Sequence, residues 1–338
     1  LGSAYVHFLK ARGAAHPSVA VGRDTRQSGA MLAAALMSGI ASAGGDACDL
    51  GVIPTPGVSF VCCRNAFDGG AVVSASHNPA EYNGIKFLDG RGFKLTDDDE
   101  ADIEEFFLDE NQSCAEAFEI GTITDGTKLR GDYSKHLGAL IAEVSDKTPR
   151  LVVDAAHGAA SSFVEPLFSV WQGHVTFIGN RPDGTNINDN VGVTHIETLA
   201  SCVREEGAAL GIAYDGDTDR VLLCDDKGRV IDGDVMLWVI GRWFAKRGTL
   251  GAGVTATVMS NMVLEDLLAD EGVKVFRCGV GDRYVLDTMK HEGSGLGGEQ
   301  SGHIIALEYA NTGDGLCSGI LFLRAVAELG EEISTLND

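Results

Sequence analysis

Residues 215–220 read Asp-Gly-Asp-Thr-Asp-Arg, which puts carboxylates at Asp215, Asp217 and Asp219. In an extended loop, alternate side chains project to the same side. Three aligned carboxylates repel one another unless a cation lies among them, and an oxygen-only donor set suits Mg²⁺ or Ca²⁺. An EF-hand loop does not fit. Its sixth position would be Arg220, where glycine is required, and its twelfth would be Asp226, where a glutamate is expected. The flanks "LGIAY" and "VLLC" read as strands rather than helices. Three protein ligands with open positions suit Mg²⁺ bridging to a phosphate, and Arg220 beside them offers a second phosphate contact. The plain alternative is an acidic, solvated turn, but an apolar strand running straight into three aspartates is unusual for one.

Two further loops carry chemistry. In "VSASHNP" (73–79) an apolar run stops at Ser76. Neither G-x-S-x-G nor S-x-x-K surrounds this serine. His77, if the segment is a strand, points away from it, so a Ser–His hydrolase pair is not expected. Spacing alone leaves Ser76 open between nucleophile and turn residue. Lys86, ten residues on in "YNGIKF", could return over the loop as proton donor or phosphate partner, or be a strand-surface lysine. In "GGEQSGH" (297–303), strand spacing would turn Glu299, Ser301 and His303 to one side, and a Glu/Ser pair supplies the donors and acceptors that sugar hydroxyls need. "GSGLGG" (293–298) matches G-x-G-x-x-G by letters but precedes a strand, which excludes a dinucleotide site. Arg23, Arg26 and Arg283 are candidate anion contacts or ordinary surface arginines.

The elements that must position these loops form a threefold internal pattern. "SVAVGRDTR" (18–26), "RLVVDAAHG" (150–158) and "GVTATVMSN" (253–261) each open a unit and are followed by a helical stretch. A second strand and helix follow, then a third strand ending in one of the three chemical loops, then a hairpin-like tail with turns such as "DKG". Strand–helix alternation predicts three similar α/β domains with mixed, mostly parallel sheets. Ligands gather outside the carboxyl ends of such strands, so the three loops are expected to share one cleft. The expected domains are 1–125, 126–228 and 229–338, with the first boundary in the segment 110–140 and the second near 225–234.

Composition bounds the partners. The chain has 338 residues, 44% hydrophobic and 22% charged, enough for two or three domains with sizeable cores. A formal charge of −23 argues against nucleic acid. No apolar run approaches the roughly 18–20 residues of a membrane span. The eight cysteines form no C-x-x-C pair and read as mostly buried free thiols of a reducing compartment, which predicts a cytoplasmic protein without structural zinc.

Taken together, "SASHNP", "DGDTDR" and "GGEQSGH" resemble the phosphoserine, magnesium and sugar-recognition loops of the α-D-phosphohexomutases, in the same order along essentially the whole chain. "GEQSGH", "VMSNMVLE", "VGDRYVLDTM" and "NTGDG" are most similar to the bacterial phosphoglucosamine mutase branch. Thr218 departs from the pattern, which commonly has a small residue there, often glycine. The resemblance implies a segment with a basic active-site residue ahead of Leu1. It also implies a fourth domain, with a phosphate-binding loop, beyond Asp338, so that residues 1–338 alone would have little activity.

It further implies that Ser76 carries a phosphoryl group and joins Asp215, Asp217 and Asp219 as a Mg²⁺ ligand. Lys86, then His303, is the implied general acid/base, and Arg220 adds to charge neutralisation. Glu299 and Ser301 would grip sugar hydroxyls, with Arg283 and Arg23 lining the cleft. The implied partners are a phosphorylated hexose or hexosamine and a sugar bisphosphate, with no membrane and room for a homodimer. The implied reaction converts glucosamine 6-phosphate to the 1-phosphate. Mannose or glucose phosphate, a metal-dependent sugar phosphatase and a non-catalytic sugar-phosphate binder are the alternatives.

Overall fold

The apolar runs become the central strands of three sheets in the computed structural model, which describes residues 1–109, 113–144, 149–171 and 173–337. Residues 110–112 of the expected boundary segment lie outside the described residues. The first unit runs α1 (Gly2–Ala11), β1 (Ser18–Arg23), α2 (Gln27–Ser42), β2 (Asp46–Val52), α3 (Thr55–Arg64), β3 (Gly69–Val73), β4 (Ile85–Asp89), α4 (Asp97–Leu108), β5 (Ile123–Asp125). The second runs α5 (Arg130–Ile141), β6 (Leu151–Asp154), α6 (Ser161–Phe168), β7 (Val175–Ile178), α7 (Ile196–Glu206), β8 (Leu210–Tyr214), β9 (Val221–Asp225), β10 (Val230–Ile231). The third runs α8 (Gly233–Arg247), β11 (Val254–Thr257), α9 (Val263–Asp270), β12 (Val275–Cys278), α10 (Asp282–Glu292), β13 (Leu296–Gly298), β14 (Ile304–Ala306), α11 (Gly315–Leu329).

The sheet orders are β4-β3-β1-β2-β5, β10-β9-β8-β6-β7 and β12-β11-β13-β14. Each contains the same four-strand unit. Its opening strand pairs in parallel with the second and third, and the third pairs antiparallel with the fourth. Strands β3, β6, β8, β11 and β13 are buried along their whole length, as expected of strands covered on both faces. The last strand of the second sheet, β10, comes from beyond the boundary expected at 228.

This topology decides where chemistry can sit. The chain reverses from parallel to antiparallel pairing just after β3, β8 and β13, at the carboxyl ends of the sheets. The segments that make the reversal are 74–84, 215–220 and 299–303, and none of them is a strand. The extended geometry expected for these motifs is therefore replaced by turns. Ser76 and Thr218 take left-handed φ values of 51° and 67°, a conformation that costs an L-residue roughly 1–2 kcal/mol.

One apolar core runs through all three units, from Leu50 and Val58 through Tyr133 and Tyr214 to Trp243 and Phe322. Helix α5 packs on α3 of the first unit and α11 of the third. All eight cysteines are free, and five are buried, while Cys63 and Cys114 are exposed and Cys202 is intermediate. Among the described residues no helix is long and apolar enough to cross a membrane.

Candidate active site

The three aspartates converge although their loop is a turn. Each offers a carboxylate oxygen within 4.8 Å of the others, and all three are buried. The Asp215 carbonyl accepts the Thr218 N–H at 3.1 Å, and Asp215 Oδ1 accepts the Arg220 N–H at 3.1 Å, which coils 215–220 around its own acids. Neighbouring units hold the coil from outside. Thr55, at the start of α3, donates its N–H to the Asp217 carbonyl at 2.9 Å and its hydroxyl to Asp217 Oδ2 at 2.6 Å. Gly315, at the start of α11, donates its N–H to the Thr218 carbonyl at 2.9 Å.

Ser76 meets this coil directly. Its hydroxyl donates to Asp215 Oδ2 at 2.5 Å, across 139 positions of sequence. Lys86 on β4 returns over the loop, with Nζ 2.7 Å from Asp217 and 3.4 Å from Asp219. Lys94, just past β4, lies 3.5 Å from Asp219 and also pairs with Asp282. Sequence reasoning missed Lys94 and Thr55. Neither stands in a motif, and only folding brings them to the aspartates.

These neighbours split the acids electrostatically. Burial, then Asp219 and Asp217, push the Asp215 carboxyl well above the ordinary range, against the Ser76 hydrogen bond and Arg220. Burial also raises Asp219, but Lys86, Lys94 and His303 outweigh it and hold that carboxyl well below the usual range. At Asp217, burial and Asp219 push up, but Lys86 and Thr55 win and the net shift is downward. Burial alone would lower the Lys86 ammonium, yet Asp217 and Asp219 drive it far above an ordinary lysine. Two carboxylate oxygens, Asp217 Oδ1 and Asp219 Oδ1, are buried without a hydrogen-bond partner. Orphaned anionic oxygens inside a cluster of this span fit a hard, oxygen-seeking metal ion.

The remaining expected residues divide. Arg220 is at the site, with Nε 4.0 Å from Asp219 and Nη1 3.4 Å from His77 Nδ1. His77 is held below the ordinary histidine range by burial and then by Arg220, against Asp219 and Asp217. His303 stands behind Asp219. Its Nε2 accepts the Gly313 N–H at 3.2 Å, and its Nδ1 faces Asp219 at 3.8 Å. Glu299 is 9% exposed and accepts the Gly281 N–H at 3.1 Å, whereas Ser301 is exposed. The one-sided row expected of Glu299, Ser301 and His303 does not form, because 299–303 is a tight turn and not a strand.

Arg23 pairs with Asp49 on β2 at 2.9 Å and is not brought to the aspartates. Arg283 reaches across to Asp97 and Glu100 of α4. It lines a cleft of ≈ 630 Å³ between the first and third units, which also takes in Lys94, Asp282 and His303. Arg26 is not an anion contact: its guanidinium is buried and committed to Asp24 and to the carbonyls of Ser76, Asn78 and Pro79.

Comparisons with known proteins match the chain along nearly its whole length. Models of the phosphoglucomutase/phosphomannomutase α/β/α domains I, II and III match residues 1–113, 131–228 and 232–338. The chain is 42% identical to the phosphoglucosamine mutase of Carboxydothermus hydrogenoformans, over 99% of its own length and 76% of the relative's. It is also 42% identical to that of Streptococcus gordonii, over 95% and 71%. The crystal structure of a phosphoglucomutase/phosphomannomutase family protein from Burkholderia thailandensis superposes with a TM-score of 0.87 at 26% identity, covering 99% of this chain and 74% of the other.

Proposed function

The chain belongs to the phosphoglucomutase/phosphomannomutase family, and we propose that it interconverts glucosamine 6-phosphate and glucosamine 1-phosphate through a phosphorylated Ser76. The observation that carries this reading is the Ser76 hydroxyl, 2.5 Å from Asp215 in a buried aspartate cluster with Lys86 alongside. The choice of hexosamine is supported by the 42% identity to phosphoglucosamine mutases over nearly the whole chain.

In the reaction, O1 of the 6-phosphate attacks phosphorus on phospho-Ser76. The O1–P bond forms as the Ser76 Oγ–P bond breaks, and the proton lost by O1 reaches Oγ. The resulting 1,6-bisphosphate turns round. Ser76 Oγ then takes the phosphoryl from O6, whose oxygen recovers the proton. Phosphoryl transfer needs in-line positioning and charge neutralisation more than covalent help. Asp215, Asp217 and Asp219, with an oxygen at Ser76, would hold Mg²⁺, which supplies that neutralisation when bound.

Lys86, its ammonium 2.7 Å from Asp217 in the same cluster, is the candidate general acid/base. Arg220 adds positive charge beside it. His303 acts first on Asp219, through its Nδ1, and is second to Lys86 as acid or base. Glu299 and Ser301 grip sugar hydroxyls, and Arg283 borders the cleft through which substrate approaches. Arg23, paired with Asp49, keeps its place in this reading as a candidate substrate contact.

A division into 1–125, 126–231 and 232–338, with the second boundary moved from the expected 228 to after β10, belongs to the same reading, as do a cytoplasmic location and a homodimer. Intact mass should show an adduct of about 80 Da, one phosphoryl group, that disappears in Ser76→Ala together with mutase activity. Mutase activity retained by Ser76→Ala sinks the reading. A coupled assay then sets glucosamine 6-phosphate against mannose 6-phosphate, with inorganic phosphate release as the sign of a phosphatase.

A further inference from the structure

The turn at 76–79 is gripped from behind, on the side away from the Ser76 hydroxyl. Arg26 Nη2 donates to the Ser76 carbonyl at 2.9 Å and the Asn78 carbonyl at 2.7 Å, and Nη1 donates to the Pro79 carbonyl. Asn188 Nδ2 donates to the same two carbonyls, Ser76 at 2.9 Å and Asn78 at 3.0 Å. The guanidinium is itself fixed. Its Nε donates to Asp24 Oδ2 at 2.9 Å, the Ser74 hydroxyl donates to that same oxygen at 2.6 Å, and Ser74 Oγ accepts the Ser76 N–H at 2.9 Å. The Ser76 residue is thus held by its N–H and its C=O in one closed network. The residues that make the grip are buried: Asp24, Arg26 and Ser74 are 2% exposed and Asn188 6%.

The grip matters because of what it holds. Ser76 has φ +51°, a backbone state that L-residues rarely adopt and that a free turn would leave. Five donated bonds to three carbonyls over-determine that state. Asn188 is also not a residue of the first unit. It lies between β7 and α7, in the unit that carries the aspartates, and is locked there at φ +58° with its N–H on the Ala156 carbonyl. The backbone of Gly216 closes the same spot, since a Cβ there would stand 2.6 Å from the Ser76 carbonyl. The Ser76-to-Asp215 spacing is therefore set by donors from both units.

We propose that Arg26 and Asn188 are positioning residues for phosphoryl transfer: they hold the 76–79 turn by its carbonyls so that Ser76 Oγ stays in line with the aspartate cluster. This rests on the reading of Ser76 as the phosphoryl carrier. Misplacement of a reacting group by about 1 Å costs on the order of 10²-fold in rate, so the signature is in kcat and in the rate at which Ser76 is charged, not in KM.

The test uses Asn188→Asp, which keeps the shape and removes the donor, Asn188→Ala, and Arg26→Lys, which keeps the charge and loses the fork. Each enzyme is incubated with glucose 1,6-bisphosphate. Ser76 phosphorylation is followed by intact mass, kcat and KM are measured, and the folded fraction is read from thermal unfolding. Both Asn188 variants are expected to lose about 10²-fold in kcat and in phosphorylation rate, with KM within about threefold and the folded fraction unchanged. Arg26→Lys should show the same split. Equal phosphorylation rates in wild type and the Asn188 variants overturn the proposal, as does a kcat loss that vanishes once corrected for folded protein. If wild type itself takes no phosphoryl group on Ser76, the Ser76 reading has failed instead.

Discussion

The turns that carry Ser76 and Glu299 leave equivalent strands, β3 and β13, yet the fold treats them differently. The Ser76 turn is clasped by buried donors from two units and set against three buried acids. The 299–303 turn is held by its own backbone, through the Gly302 N–H on the Glu299 carbonyl, and by neighbours, through the Val221 N–H on the Gly302 carbonyl, the Gly233 N–H on the Gln300 carbonyl and the Gly281 N–H on the Glu299 carboxylate, yet it leaves Ser301 exposed. Bond making tolerates little misalignment. In the proposed reading, the difference between a serine committed to the acid cluster and one left exposed separates where chemistry is done from where substrate is chosen.

The largest effect that tests this contrast is expected from Asp217→Ala. The change removes a carboxylate held by both Thr55 and Lys86. Turnover should fall by about 10³-fold or more, as for loss of a principal electrostatic stabiliser, and calorimetry should show Mg²⁺ affinity lost with it. Lys86→Met should come next, with kcat down about 10²–10⁴-fold, the usual span for a general acid/base. Ser76 should still be phosphorylated slowly from a bisphosphate.

On the other turn the effect should move to recognition. Glu299→Gln is expected to raise KM about tenfold or more, a loss of about 1.4 kcal/mol, while Ser301→Ala costs less. Both should leave the rate of Ser76 phosphorylation by a bisphosphate closer to wild type than Lys86→Met does. If Glu299→Gln abolishes phosphorylation of Ser76, the division between the two turns is wrong.

The smallest effect concerns the third unit's hold on the aspartate coil. Asp314 caps α11 by accepting the Cys317 N–H, and it accepts the Tyr133 hydroxyl at 2.9 Å. Burial, against these hydrogen bonds, raises its carboxyl to about 6. A raised carboxyl stabilises the fold fully below its unfolded value, near 3.8, and loses that contribution as pH rises through about 6. Wild type should therefore lose stability relative to Asp314→Asn between these values, with no further divergence above about pH 7. Thermal melts of both proteins across that window measure it, and parallel curves would show that Asp314 ionises without cost.

Much of this was legible in the chain because it depends on short-range periodicity. Apolar runs such as "RLVVD" and "LGIAY" specify buried strands, and their spacing specifies three α/β units. Asp215, Asp217 and Asp219 stand close enough in sequence to meet under almost any local backbone. Their acidity also marks a cation site without reference to the rest of the molecule.

Tertiary structure alone decided which charges answer them. Lys86 and Lys94 reach the aspartates across more than a hundred positions. Arg26, which sequence offers as an anion contact, is instead used up on backbone carbonyls, and Arg23 and Arg283 pair with acids elsewhere. Asn188 belongs to no motif, and its role exists only because two units abut at Ser76. The physical reason is range. A turn's conformation and a carboxylate's ionisation depend on whichever donors packing brings within about 3 Å. That proximity is a property of three sheets meeting at their carboxyl ends, not of any stretch of residues read by itself.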